Sequence, residues 1–122
     1  MLKRSLWLVM LAAWVASPAH GQDAKELKRG QRIWDRKRCA SCHGMHSTHG
    51  GPALAGVTKR RTREWLYRWL DDSESMVRTD SIGREMLALW RFVMPSQGLS
   101  PRDADALLAF LQSKESESSA GT

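Results

Sequence analysis

The run Cys39-Ala40-Ser41-Cys42-His43 constrains this chain of 122 residues more than any other part of it. Cys39 and Cys42 are its only cysteines. A disulfide between them would close so short a loop that little stability would follow, so cross-linking is a poor account of them. Two thiols three positions apart, followed at once by an imidazole, have the spacing of a c-type haem attachment motif. Each thiol adds across one porphyrin vinyl group, and His43 is then delivered beneath the iron as an axial ligand. The motif occurs once, which implies one covalently bound haem c and one iron.

Two other chemistries use the same residue types. A reactive dithiol of the thioredoxin kind needs βαβ surroundings. A zinc site could draw on Cys39, Cys42, His46 and His49, but structural zinc sites more often take their ligand pairs from well-separated stretches.

Residues 1–21 have the layout of a secretory signal peptide. Lys3 and Arg4 are followed by an apolar run over 6–16, and small residues precede cleavage points after Ala19 or Gly21. The run is shorter than the ~20 residues of a membrane-spanning helix; an uncleaved anchor is the alternative. Removal of 1–21 leaves 101 residues with 17 basic and 13 acidic side chains, a net charge of +4. Export to the periplasm is the expectation. A basic exported domain suits acidic protein partners or anionic head groups better than nucleic acid, and any membrane contact is expected to be peripheral.

The rest reads as all-α. Residues 23–38 form a helix with Leu27, Ile33 and Trp34 as its apolar members. Gly30 inside it costs ~1 kcal/mol against alanine, which suggests that another helix crosses there, with Trp34 covering the contact. Residues 44–61 are a Gly- and His-rich loop. Thr62 caps a helix over 62–72, with Trp65 and Trp69 on one face. Asp80 or Ser81 starts another, with Ile82, Met86, Leu89, Trp90 and Val93 as its stripe and Pro95 as its stop. Ser100, Pro101 and Asp103 open a last helix carrying Leu107, Leu108, Phe110 and Leu111. Residues 113–122 read as a disordered polar tail.

In this order the pieces resemble a class I c-type cytochrome, the family of single-haem electron carriers. The resemblance covers 25–112 within a domain of 22–112: the helix with Gly30 and Trp34, the Cys39–His43 motif, "GPALAG" at 51–56, "VMP" at 93–95, and "LLAFL" at 107–111. It implies the cytochrome c fold, in which the N- and C-terminal helices cross beside one covalently bound haem and Gly30 and Trp34 meet the last helix near Phe110. It also implies Met94, before Pro95, as the sixth iron ligand. The chemistry agrees, since a thioether raises haem potential and a loop can aim it. Met45 lies too close to His43 to reach the opposite face. Met76 and Met86 fall on or beside helices, where core packing is the simpler role, and His46 and His49 are outside candidates.

The same resemblance makes the Pro52 carbonyl the acceptor for the far nitrogen of His43 and packs Leu54 on the macrocycle. Lys59, Arg60, Arg61 and Trp65 are candidates for the haem propionates, through charge or an indole N–H. With His43 and Met94 on the iron, no position is left for substrate. The expected function is periplasmic one-electron transfer between redox proteins, without catalysis. Two alternatives stand: an open or labile sixth position, as in a ligand sensor or peroxidase-type protein, and a haem subunit of a larger respiratory complex. Arg36, Lys37, Arg38, Lys59, Arg60, Arg61 and Arg63 are expected to form a positive rim for acidic redox partners.

Overall fold

The computed structural model describes residues 19–120. Five α-helices follow one another: α1 (Ala19–Arg36), α2 (Val57–Arg60), α3 (Arg63–Thr79), α4 (Ser81–Trp90) and α5 (Pro101–Ala120). A 3₁₀ turn, Cys39–Ser41, follows α1. Among the described residues there is no strand; one isolated bridge pairs His43 with Thr48. The expected signal peptide lies outside the described residues except for 19–21, which are helical. Among the described residues no helix is long and apolar enough to cross a membrane.

The helix starts follow local chemistry. Thr62 Oγ1 accepts the amide of Trp65 at 3.2 Å, and Asp80 Oδ1 accepts that of Gly83 at 3.0 Å. Ser100 Oγ accepts the amide of Asp103 at 3.2 Å, and its hydroxyl donates to the Asp103 carboxylate. Each bond satisfies an amide that a helix start otherwise leaves without a partner.

α1 packs on α5 and α3 on α4. The crossing of α1 and α5 sits at Gly30, where a Cβ would fall on the Ala106 carbonyl, 2.7 Å from its carbon and from Phe110 Cβ. Trp34 then meets Phe110 with ring centroids 6.2 Å apart. The core joins Ile33 to Leu66, Leu70, Met76 and Val77 of α3 and to Leu107, Leu108 and Leu111 of α5.

Several boundaries differ from the sequence expectation. α1 ends at Arg36, because Arg38 takes a left-handed conformation (φ 55°) that turns the chain into the cysteine motif. The loop over 44–61 contains the one-turn helix α2. α3 runs past Asp72, which leaves helical geometry (φ −139°, ψ 70°), and continues to Thr79. α4 stops at Trp90 and not at Pro95, since Arg91 adopts φ 54°.

Residues 113–120, expected as disordered tail, are helical. Glu115 accepts the Gly56 amide at 3.1 Å and pairs with Lys59 at 3.4 Å. Ser116 and Ser118 donate to the carbonyls of Gln112 and Lys114. These bonds extend the helix beyond its apolar face.

Candidate haem-binding site

A cavity of about 620 Å³ with a mostly apolar wall opens between the cysteine motif, α3, α4 and the loop after α4. Its volume falls within the ~300–1,000 Å³ range of small-molecule and cofactor sites. Cys39, Cys42 and His43 line it, and so do Pro52, Leu54 and Met94. These residues, which the sequence singled out between Cys39 and Met94, therefore converge on one space.

The left-handed Arg38 feeds a tight turn in which the amides of Cys42 and His43 both bond the Cys39 carbonyl, at 3.2 and 3.0 Å. Both thiols are free and half-buried. Burial pushes the Cys39 thiol above its usual range, the opposite of the low-pKa thiolate of a reactive dithiol. The four donors of the zinc alternative do not converge: among the described residues, no group of three or more His, Cys, Asp or Glu is arranged to hold a metal. His49 Nε2 lies 3.3 Å from the Ala40 carbonyl.

His43 Nδ1 lies 2.9 Å from the Pro52 carbonyl. A carbonyl only accepts, so Nδ1 carries the proton and Nε2 keeps its lone pair for a metal. The ring rests against the chain at Gly51, where a Cβ would lie 2.6 Å from His43 Cε1. Trp69 Nε1–H donates to Met94 Sδ at 3.2 Å, and Ser73 Oγ–H donates to the Met94 carbonyl at 2.6 Å. Met76 is buried in the core, Met45 packs against that core, and Met86 borders the cavity from α4.

A half-exposed thiol pair, an imidazole with one free nitrogen and a thioether around one apolar space suit covalent porphyrin iron. A cytochrome c family model matches residues 27–115. The chain belongs to the cytochrome c family. It is 31% identical over 90 residues to cytochrome c-554(547) of Halothiobacillus neapolitanus, covering 72% of this chain and 96% of that one. Among solved structures it is similar to cytochrome c from Rhodothermus marinus, with TM-score 0.69, 24% identity and coverage of 83% and 86%. An engineered form of the Rhodothermus protein, bound to a carbene intermediate, matches with TM-score 0.64, 23% identity and coverage of 77% and 80%. Cytochromes c bind haem c covalently and act in electron transfer; this chain is accordingly a haem-based electron carrier with the all-α cytochrome c fold.

The candidate propionate partners all have contacts within the chain. The indole N–H of Trp65 donates to Asp80 Oδ1 at 3.0 Å, so it is already committed; Trp65 offers the cavity its ring instead. Arg60 borders the cavity, but its guanidinium donates to the carbonyls of Ala53 and Ala55. The Arg61 guanidinium sits 5.4 Å from the Trp65 ring centroid. Of the expected basic rim, Lys37, Arg38, Arg60 and Arg61 border the cavity, while Lys59 pairs with Glu115 and Arg63 with Asp105.

Leu89 of α4 and Phe92 of the loop after it, 76% and 58% exposed, also border the cavity. Sequence reasoning passed over Trp69 and Ser73 as site residues. The spacing of Trp65 and Trp69 signalled only a shared helix face, and their rings do stack at 5.0 Å.

Proposed function

We propose that the protein is a periplasmic carrier of single electrons, in which Cys39 and Cys42 would bond the haem and His43 and Met94 would supply ligands to its iron. The observation that carries this reading is that the two candidate axial side chains border one cavity and each is held by a partner. The Pro52 carbonyl holds His43, and Trp69 holds the Met94 sulfur. Bound haem c supplies a one-electron couple. The protein's part is to fix the donors in both oxidation states, so that little rearrangement accompanies the change in charge. A six-ligand site leaves no position for substrate, which favours transfer over catalysis.

Docking is assigned to acidic redox proteins. Lys37, Arg38, Arg60 and Arg61 at the cavity offer the complementary charge, and such contacts act mainly on encounter. Export is supported by the charged and apolar layout of residues 1–21.

The decisive experiment is an optical spectrum of the oxidised and reduced purified protein before and after acid-acetone extraction, on the parent and on Met94→Ala. Porphyrin that resists extraction and a thioether-to-iron charge-transfer band lost in Met94→Ala are the expected results. An unchanged sixth-ligand spectrum and potential in Met94→Ala would reject Met94.

A further inference from the structure

The break in α3 at Asp72 exchanges one set of backbone partners for another. In a continuous helix the carbonyls of Leu70 and Asp71 would take the amides of Glu74 and Ser75, four residues on. Instead, the Leu70 carbonyl takes the amide of Leu99 at 3.3 Å, and the Asp71 carbonyl takes that of Gly98 at 3.0 Å. The displaced Glu74 amide donates to Ser96 Oγ at 3.1 Å, and the Ser75 amide donates to Asp72 Oδ1 at 3.1 Å. All four groups freed by the break are satisfied again, three of them by the loop that carries Met94.

Side chains add to this seam. Ser96 donates its hydroxyl to Asp72 Oδ1 at 3.0 Å and its amide to Glu74 Oε2 at 3.2 Å. Lys37 Nζ reaches the Gln97 carbonyl at 2.8 Å. Ser73, fully buried, donates to the Met94 carbonyl itself. A hydroxyl buried this deeply is costly unless it is paired, and here its partner is the backbone of the candidate ligand. From 94 to 99, every residue but Pro95 is bonded to an element outside the loop.

We propose that residues 72–74 are a clamp that sets how firmly Met94 stays in place, with Ser73 and Glu74 as positioning residues. The proposal rests on Met94 as the sixth ligand. Weakening the clamp raises the fraction of time that the loop stands open, and a competing ligand gains apparent affinity by the same factor.

The test titrates imidazole into the oxidised holoprotein and follows the optical spectrum, with the thermal midpoint of each variant measured alongside. Ser73→Ala and Glu74→Ala each remove one hydrogen bond to the loop and are expected to tighten imidazole binding about fivefold. Glu74→Gln keeps an oxygen acceptor for the Ser96 amide and is expected to stay within about twofold of the parent. Exposed Glu85→Ala on α4 serves as the control and is expected to match the parent.

If Ser73→Ala fails to fold, Glu74→Ala decides alone, because its side chain is on the surface. Parental imidazole affinity in the clamp variants, whatever their thermal midpoints, overturns the clamp. Met94→Ala separates the two ideas. If it binds imidazole far more readily than the parent while the clamp variants do not, only the clamp fails. If it titrates like the parent, the assignment of Met94 fails and the clamp falls with it.

Discussion

Trp69 donates its indole N–H to the sulfur of Met94 at 3.2 Å. A hydrogen bond to a thioether draws density from the sulfur and makes it a poorer donor to oxidised iron, which favours the reduced state. Trp69→Phe keeps a ring to stack on Trp65 but removes the donor. The reduction potential is expected to fall by on the order of tens of mV, the one-electron equivalent of a single hydrogen bond. A spectroelectrochemical titration reads this directly, and an unchanged potential rejects the role.

Gly30→Ala tests the crossing of α1 and α5. Alanine improves helix propensity by ~1 kcal/mol, but its Cβ would meet the Ala106 backbone and Phe110 Cβ. Neither is the flexible end of a side chain, so the helices must separate. Overpacking of this kind costs ~1–3 kcal/mol, and loosening the Trp34–Phe110 contact adds to it. The expected net loss is about 2 kcal/mol, seen as a lower urea midpoint at unchanged slope.

Asp80 predicts an acid limb in stability. Donation from Trp65 Nε1–H, with help from the Gly83 amide and Arg68, holds its carboxyl below the usual range. A carboxylate with a lowered folded pKa contributes stability that is fully present above its unfolded value, about 3.9. That contribution is lost as pH falls through the lower folded value. Thermal midpoints measured below about pH 4 are expected to fall less steeply in Asp80→Asn than in the parent. Asp103, lowered chiefly by its bond from Arg29, acts in the same window, so the slope is reduced and not abolished.

The docking assignment predicts salt sensitivity. Between ~0.01 and ~0.15 M ionic strength the Debye length shrinks from ~30 to ~8 Å. Electron transfer to an acidic redox protein, followed by stopped flow, is expected to slow severalfold over that range. A flat response rejects the positive rim.

Much of the molecule was legible because its causes are local. Thr62, Asp80 and Ser100 cap helices through amides three residues on. Gly30 pointed to a crossing because glycine inside a helix is either a tolerated weakness or room for a close neighbour, and the neighbour is Ala106. The tail was misread because its support comes from Gly56 and Lys59, more than fifty residues away. The partner of the Trp65 N–H was illegible for the same kind of reason: it is Asp80, across the turn between α3 and α4.

The order of residues alone determined the chemistry of attachment, since two thiols and an imidazole within five positions need only one turn to share a face. It also determined the helical class, through caps and apolar spacing. Only the tertiary structure decided how Trp69 and Ser73 hold Met94 and why α3 breaks at Asp72. Those outcomes depend on hydrogen bonds between groups more than twenty residues apart, whose partners exist only after the helices have packed.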